Sequence, residues 1–163
     1  GFRTGVTSGD VDYPAMLMFN GVFGGSLTSK LFMNVREKLS LCYYASSGLD
    51  RFKGVMVVAS GVDMDKYAQA RDEILRQLEA CRQGDITAEE LESTRSYIQS
   101  SLLAGGDSLM RMEDFWLSQL VGGFDYTPEE LADWIAQVTR EDVARAAGNT
   151  VLDTIFFLKG AET

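Results

Sequence analysis

Arg36, Tyr43 and Tyr44 sit in the stretch VREKLSLCYYASSG, residues 35–48, where a helical pattern gives way to a strand-like one. These residue types suit the recognition of carbonyl groups. A guanidinium is always charged and donates through a planar fork. A tyrosine hydroxyl can donate to a carbonyl oxygen or to an oxyanion. Lys30, Arg36, Lys38, Arg51 and Lys53 lie between residues 24 and 54, opposed there only by Glu37 and Asp50, on a chain of net charge −9. Such a positive island is a candidate site for carboxylates or polarised carbonyls. The plainer reading is a solvated helix end, with cations favoured near the helix C-terminus by its dipole and the tyrosines half-buried in a strand. Residue types alone leave both open.

Other chemistries are excluded more firmly. The chain has no histidine, which rules out a Ser-His-Asp triad, a Cys-His pair and a histidine-based zinc site within it. Cys42 and Cys81 fall in apolar patterns and read as buried thiols. No D-x-[DN]-x-[DN]-G loop for calcium occurs. A pI of about 4.5 argues against nucleic acid as a partner. No apolar run approaches the ~20 residues of a membrane span, and no secretory signal is visible. The chain opens on strand-like residues with no initiator Met, so a fragment of a longer protein is expected. The expected compartment is cytoplasmic.

The elements that must position Arg36 and Tyr43 follow from hydrophobic period. Residues 2–7 read as a strand. Ala15, Met18, Phe19, Val22 and Phe23 share one helical face, with Asp12 as cap and Pro14 in the first turn. Gly24-Gly25 reads as a hinge rather than a phosphate loop. Ser26 is expected to cap a second helix carrying Leu27, Leu31, Phe32, Val35 and Leu39. Strands are expected over 41–47 and 55–62, joined as a hairpin through LDRFKG. A helix follows over 63–82. Another begins at the capping box Thr87–Glu90, and a helical period resumes over 109–120. Two further capped helices start at Thr127 and Thr139, and the last strand is expected over 151–159. Trp116 and Trp134 lie in helical apolar patterns and read as core or interface. Strands and helices do not alternate strictly. The expectation is one α+β domain over residues 1–163, with two layers: a mainly antiparallel sheet and helices packed on one face.

The wider string FGGSLTSKLFMNVREKLSLCYYASS resembles the signature of the non-catalytic homologous domain of the insulinase–pitrilysin zinc metallopeptidases, which include the mitochondrial processing peptidases. The residues that carry the likeness are Gly24, Gly25, Ser29, Lys30, Leu31, Phe32, Val35, Arg36, Glu37, Lys38, Leu41 and Tyr43. VTREDVARAA, residues 138–147, is similar to the family's segment before its last strand, so the likeness spans nearly the whole chain. Leu39-Ser40, Cys42 and Tyr44 depart from the usual pattern and suggest a divergent branch.

The resemblance implies a function. Members of this family close two homologous halves around a chamber. One half carries H-x-x-E-H and binds Zn²⁺. The other lacks the motif and supplies an Arg and a Tyr to the scissile peptide. By position these are Arg36 and Tyr43, with Lys30, Glu37 and Lys38 as possible support. The domain alone is then no enzyme, has no catalytic or metal-binding residue of its own, and needs no cofactor. Zinc is expected only in the homologous catalytic half, in the same chain or a separate subunit, and peptide is the substrate. Arg36 and Tyr43 should point to one side, with Arg36 partly buried and held by a carboxylate. Two alternatives stand beside this. One is an inactive paralogue that serves as a structural or assembly partner of a related peptidase. The other is a stand-alone α+β module that binds a small anion at the Lys30–Lys53 island.

Overall fold

A computed structural model describes residues 1–160, with only the backbone described at 106 and 107. Four strands form one sheet: β1 (Phe2–Arg3), β2 (Tyr44–Asp50), β3 (Val55–Gly61) and β4 (Val151–Leu152). Their order is β2-β3-β1-β4 and every pairing is antiparallel. β2 and β3 form the expected hairpin, with Tyr44 opposite Gly61 and Asp50 opposite Val55. The Asp50 carboxylate accepts the Phe52 and Lys53 N–H groups and so builds the turn. Gly54 holds φ at +62°, and a Cβ there would lie 3.2 Å from Val6 N.

Pleating decides which residues meet the helices. Phe2, Ala45, Ser47 and Met56 are buried, whereas Tyr44, Ser46, Val57 and Ala59 are exposed on the other face. The buried face receives α1 (Tyr13–Asn20), which runs on as a π-helical turn, Gly21–Gly25. Phe19 and Phe23 stack with ring centroids 5.6 Å apart, both fully buried. A second π-helix, Leu31–Lys38, buries Leu31 and Val35. Then come α2 (Tyr67–Arg82), α3 (Ala88–Leu103), α4 (Leu109–Gly122), α5 (Pro128–Gln137) and α6 (Arg140–Asn149). The α+β reading, with helices on one face of an antiparallel sheet, is correct.

Three expected capping boxes are present, at Thr87–Glu90, Thr127–Glu130 and Thr139–Asp142. Each satisfies two of the N–H groups that a helix start leaves without intrahelical partners. Thr127→Ala should lower stability by about 1 kcal/mol, read as a lower midpoint in chemical denaturation. No change at all would mean that the box adds nothing to the Pro at the start of α5.

Local readings differ in places: β1 covers Phe2–Arg3 rather than 2–7, and β2 runs over Tyr44–Asp50 rather than 41–47. Asp12 makes no side-chain cap, and its carboxylate meets Arg145 at 3.4 Å instead. Ser26 does not start the second helix: its hydroxyl donates back to the Gly21 carbonyl, and the helix begins only at Leu31. The last strand pairs over Val151–Leu152 alone, not over 151–159. A strand exists only where a neighbour completes its ladder, and β1 offers only two residues to pair with.

Candidate functional site

The π-helix Leu31–Lys38 and the first residues of β2 form one side of an open groove of about 570 Å³ at the β2 edge of the sheet. Its lining includes Ser26–Thr28, Phe32, Arg36, Tyr44, Ser46 and, from α3, Tyr97. That volume lies within the range of natural ligand clefts, ~300–1,000 Å³. π-Helical turns are rare and concentrate at functional sites, and here two of them flank the groove.

Arg36 stands in this groove as a partly exposed cation. Its guanidinium carbon lies 4.7 Å from the Phe32 ring centroid, a cation–π contact. Nη1 is 3.4 Å from the Glu37 carboxylate. That pair is solvent-exposed and adjacent in sequence, so it holds the arginine only loosely. The arginine can therefore exchange Glu37 for a ligand carbonyl or carboxylate.

Tyr43 lies just before β2. Its backbone N–H donates to the Gly61 carbonyl, and its hydroxyl donates to Asp63 Oδ1 at 2.8 Å. The ring is 70% exposed. The hydrogen bond to Asp63, and next its negative charge, hold the phenol above its usual pKa, with Asp65 adding a little. The hydroxyl is thus a neutral donor already engaged. Tyr43 does not line the groove with Arg36. Its neighbour Tyr44 does, with the edge of its ring packed where a Gly61 Cβ would stand, 2.7 Å away.

The supporting residues separate as well. Lys30 is 6% exposed and its ammonium lies 2.8 Å from Glu90 of α3. It is a structural ion, not an open donor. Glu37 is exposed beside Arg36, and Lys38 is exposed near Glu73, whose carboxyl Arg76 chiefly holds down with a smaller contribution from Lys38. Arg51 meets Asp114 of α4 at 3.2 Å and Lys53 meets Asp50 at 3.3 Å. The positive island is therefore largely paired: Lys30 and Arg51 by carboxylates from helices far along the chain, Arg36 and Lys53 by near neighbours in sequence. Sequence reasoning missed Tyr44 as a groove residue, although its place in the pleat was a usable signal. Tyr97 had no signal, since only the docking of α3 brings it there.

Among the described residues no three His, Cys, Asp or Glu come together to hold a metal. With no histidine in the chain, the residues present do not fit a zinc centre. Cys81 is buried, which pushes its thiol up to about 12, and Cys42 is a free thiol elsewhere. Among the described residues, no helix is long and apolar enough to cross a membrane.

Fold and cleft together define an α+β domain with an open groove at one edge of its antiparallel sheet. The chain belongs to the peptidase M16 inactive-domain family, whose model matches residues 1–98. It is 40% identical to the "Probable inactive metalloprotease YmfF" of Bacillus subtilis, over 99% of this chain and 38% of that protein. It is 29% identical to the "Uncharacterized zinc protease YmxG" of the same organism, over 78% of this chain and 32% of that one. Among solved structures, a conserved protein from Enterococcus faecalis superposes with a TM-score of 0.85 at 36% identity, covering 92% of this chain and 36% of that one. The peptidase M16 inactive domain from Pseudomonas fluorescens superposes with a TM-score of 0.70 at 20% identity, covering 91% and 36%, a likeness of fold alone. The chain thus spans less than two fifths of these proteins' lengths.

Proposed function

We propose that this domain is the peptide-binding half of a two-half M16-type protein, and that it presents Arg36 to an extended peptide lying in the groove at the β2 edge. The carrying observation is Arg36 itself: a partly exposed guanidinium, backed by Phe32, in a cleft of peptide size beside an edge strand. Tyr43 stands outside the groove, and in this reading it contacts a peptide only where the chain extends past the start of β2, by giving up Asp63 for a peptide carbonyl. Lys38 and Glu37 tune the rim. In an active member the zinc and its water belong to the homologous half, in the same chain or another subunit, and this domain aligns the peptide for it.

The surface of α4 supports pairing with such a half. Leu109, Met110, Leu117, Leu120 and Val121 are all exposed along it. An apolar stripe of that kind is more than a lone domain ordinarily leaves to water.

A second reading follows from the likeness to a relative named as a probable inactive metalloprotease. There the same groove would hold peptide or partner without hydrolysis. Both readings predict that Arg36→Ala in the full-length protein weakens binding of extended peptides about 10-fold or more, as for loss of one charge-assisted hydrogen bond. Fluorescence anisotropy with a labelled peptide library reads this directly. Unchanged affinity, with circular dichroism showing an intact fold, would remove the groove from consideration. Peptide cleavage by the full-length protein then separates the two readings.

A further inference from the structure

A second cavity, of about 170 Å³, lies between α1, α3, α4 and the start of α5. Its walls are mostly apolar: Leu17, Ile98, Leu102, Phe115, Phe124 and Leu131. Four polar side chains from distant parts of the chain also line it. They are Tyr13 of α1, Arg51 of the turn after β2, Gln119 of α4 and Tyr126 of the loop before α5.

Tyr13, Gln119 and Tyr126 are 7%, 5% and 8% exposed. Polar groups so far from bulk water need partners. Some have them. The Tyr126 hydroxyl donates to the Ser8 carbonyl at 3.1 Å, and Gln119 Oε1 accepts the Tyr126 N–H at 3.3 Å. The Tyr13 hydroxyl and Gln119 Nε2 donate to nothing among the described residues. Arg51 adds a charge. Its contact with Asp114 uses Nη2, and Asp114 is 72% exposed, so that pair is loosely held. Nε and Nη1 of Arg51 make no hydrogen bond among the described residues. Burial raises the pKa of both Tyr13 and Tyr126, and the Arg51 charge pulls each part of the way back. The guanidinium is therefore within electrostatic reach of both rings, and both phenols stay neutral at neutral pH. Tyr13 keeps a proton to donate.

We propose that this cavity binds a small aromatic monocarboxylate, with the carboxylate on Arg51, Tyr13 and Gln119 and the ring against Ile98, Phe115 and Phe124. Charge, size and access each select that ligand. A cation with two unengaged donors matches a carboxylate. A neutral arene would leave those donors unpartnered, and a dianion would set its second charge against apolar walls. An apolar cavity of about 150 Å³ is enough for a benzene ring, whereas a long acyl chain needs more room. Arg51, Ser101, Leu102 and Phe115 also line an outer groove of about 570 Å³ beside α4. The charged end of the cavity thus adjoins the surface, where a carboxylate can enter last and stay near water. Tyr97 alone is shared with the Arg36 groove, so the ligand and a bound peptide occupy different places.

Isothermal titration of the full-length protein with benzoate tests this. Saturable one-to-one binding is expected, with benzyl alcohol about 10-fold weaker or more because it lacks the charge. Tyr13→Phe removes one hydroxyl and keeps the ring. It should weaken benzoate about 10-fold, and Arg51→Gln should do so by at least as much. Circular dichroism checks that each variant is folded. Lys53→Gln lies in the same turn but outside the cavity, paired with Asp50, and should leave the affinity unchanged. The absence of saturable binding at millimolar benzoate would overturn the proposal. So would folded Tyr13→Phe and Arg51→Gln proteins that bind as well as the parent. Equal affinity for benzoate and benzyl alcohol would refute the carboxylate. A loss with Lys53→Gln equal to that with Arg51→Gln would assign the anion to the exposed turn and refute the cavity.

Discussion

Glu90→Ala should destabilise the domain by about 3–5 kcal/mol, the usual cost of stranding one member of a buried ion pair. Glu90 has two tasks, one for each carboxylate oxygen. Oε1 takes the Lys30 ammonium at 2.8 Å, and Oε2 takes the Thr87 N–H at 2.8 Å in the capping box of α3. Lys30 has 7% of its side chain exposed, against 23% for Glu90. Removing the acid therefore leaves the more deeply buried charge without a partner. Lys30→Met should cost less, because it keeps the packed stem and leaves the better-solvated partner behind. The double variant Lys30→Met, Glu90→Gln should recover part of the loss of Glu90→Ala. Urea midpoints for the three proteins measure this. If Glu90→Ala costs less than about 1 kcal/mol, Lys30 is not committed to the fold and could again be counted as a binding residue.

The second large effect is expected at Gly24, where the chain leaves α1 and turns past β2. A Cβ at Gly24 would stand 2.7 Å from both the backbone N and the Oγ of Ser47, and 2.8 Å from Leu31 Cδ1. The backbone nitrogen cannot move without pulling β2. Gly24→Ala should therefore cost about 3 kcal/mol, near the top of the range for overpacking. The displaced strand carries Tyr44 and Ser46, so peptide binding in the full-length protein should fall too. Gly123 offers a contrast: nothing lies within 4 Å of its Cβ position, and its φ of +70° alone argues for glycine. Gly123→Asn should consequently cost little, since Asn tolerates the left-handed region. Equal losses at the two positions would show that backbone conformation, not the Ser47 contact, is what Gly24 supplies.

Local chemistry made much of this molecule legible in its sequence. The Thr87, Thr127 and Thr139 boxes lie within four residues each, so the interacting groups are neighbours in the chain and appear in the structure as written. The same holds for the β2–β3 hairpin, whose Asp50 turn is local, and for the period of α1. The string from Gly24 to Tyr43 carried the family likeness because its pattern is short-range: a glycine pair, a short helix, and Arg36 near its end. The absence of histidine excluded a zinc centre of the family type before any fold was known.

What required the tertiary structure was every property that depends on a distant partner. Lys30 looked like an open cation until α3 placed Glu90 beside it, and Arg51 likewise until α4 supplied Asp114. Tyr43 and Tyr44 are indistinguishable by type, and only the start of the β2 ladder turns one hydroxyl to Asp63 and sets the other ring in the groove. The final IFFL is as strand-forming in composition as VMVV, yet VMVV lies in a ladder and IFFL does not. β-Propensity states that a segment suits a pleated surface; only a neighbouring strand with free N–H and C=O groups makes it one.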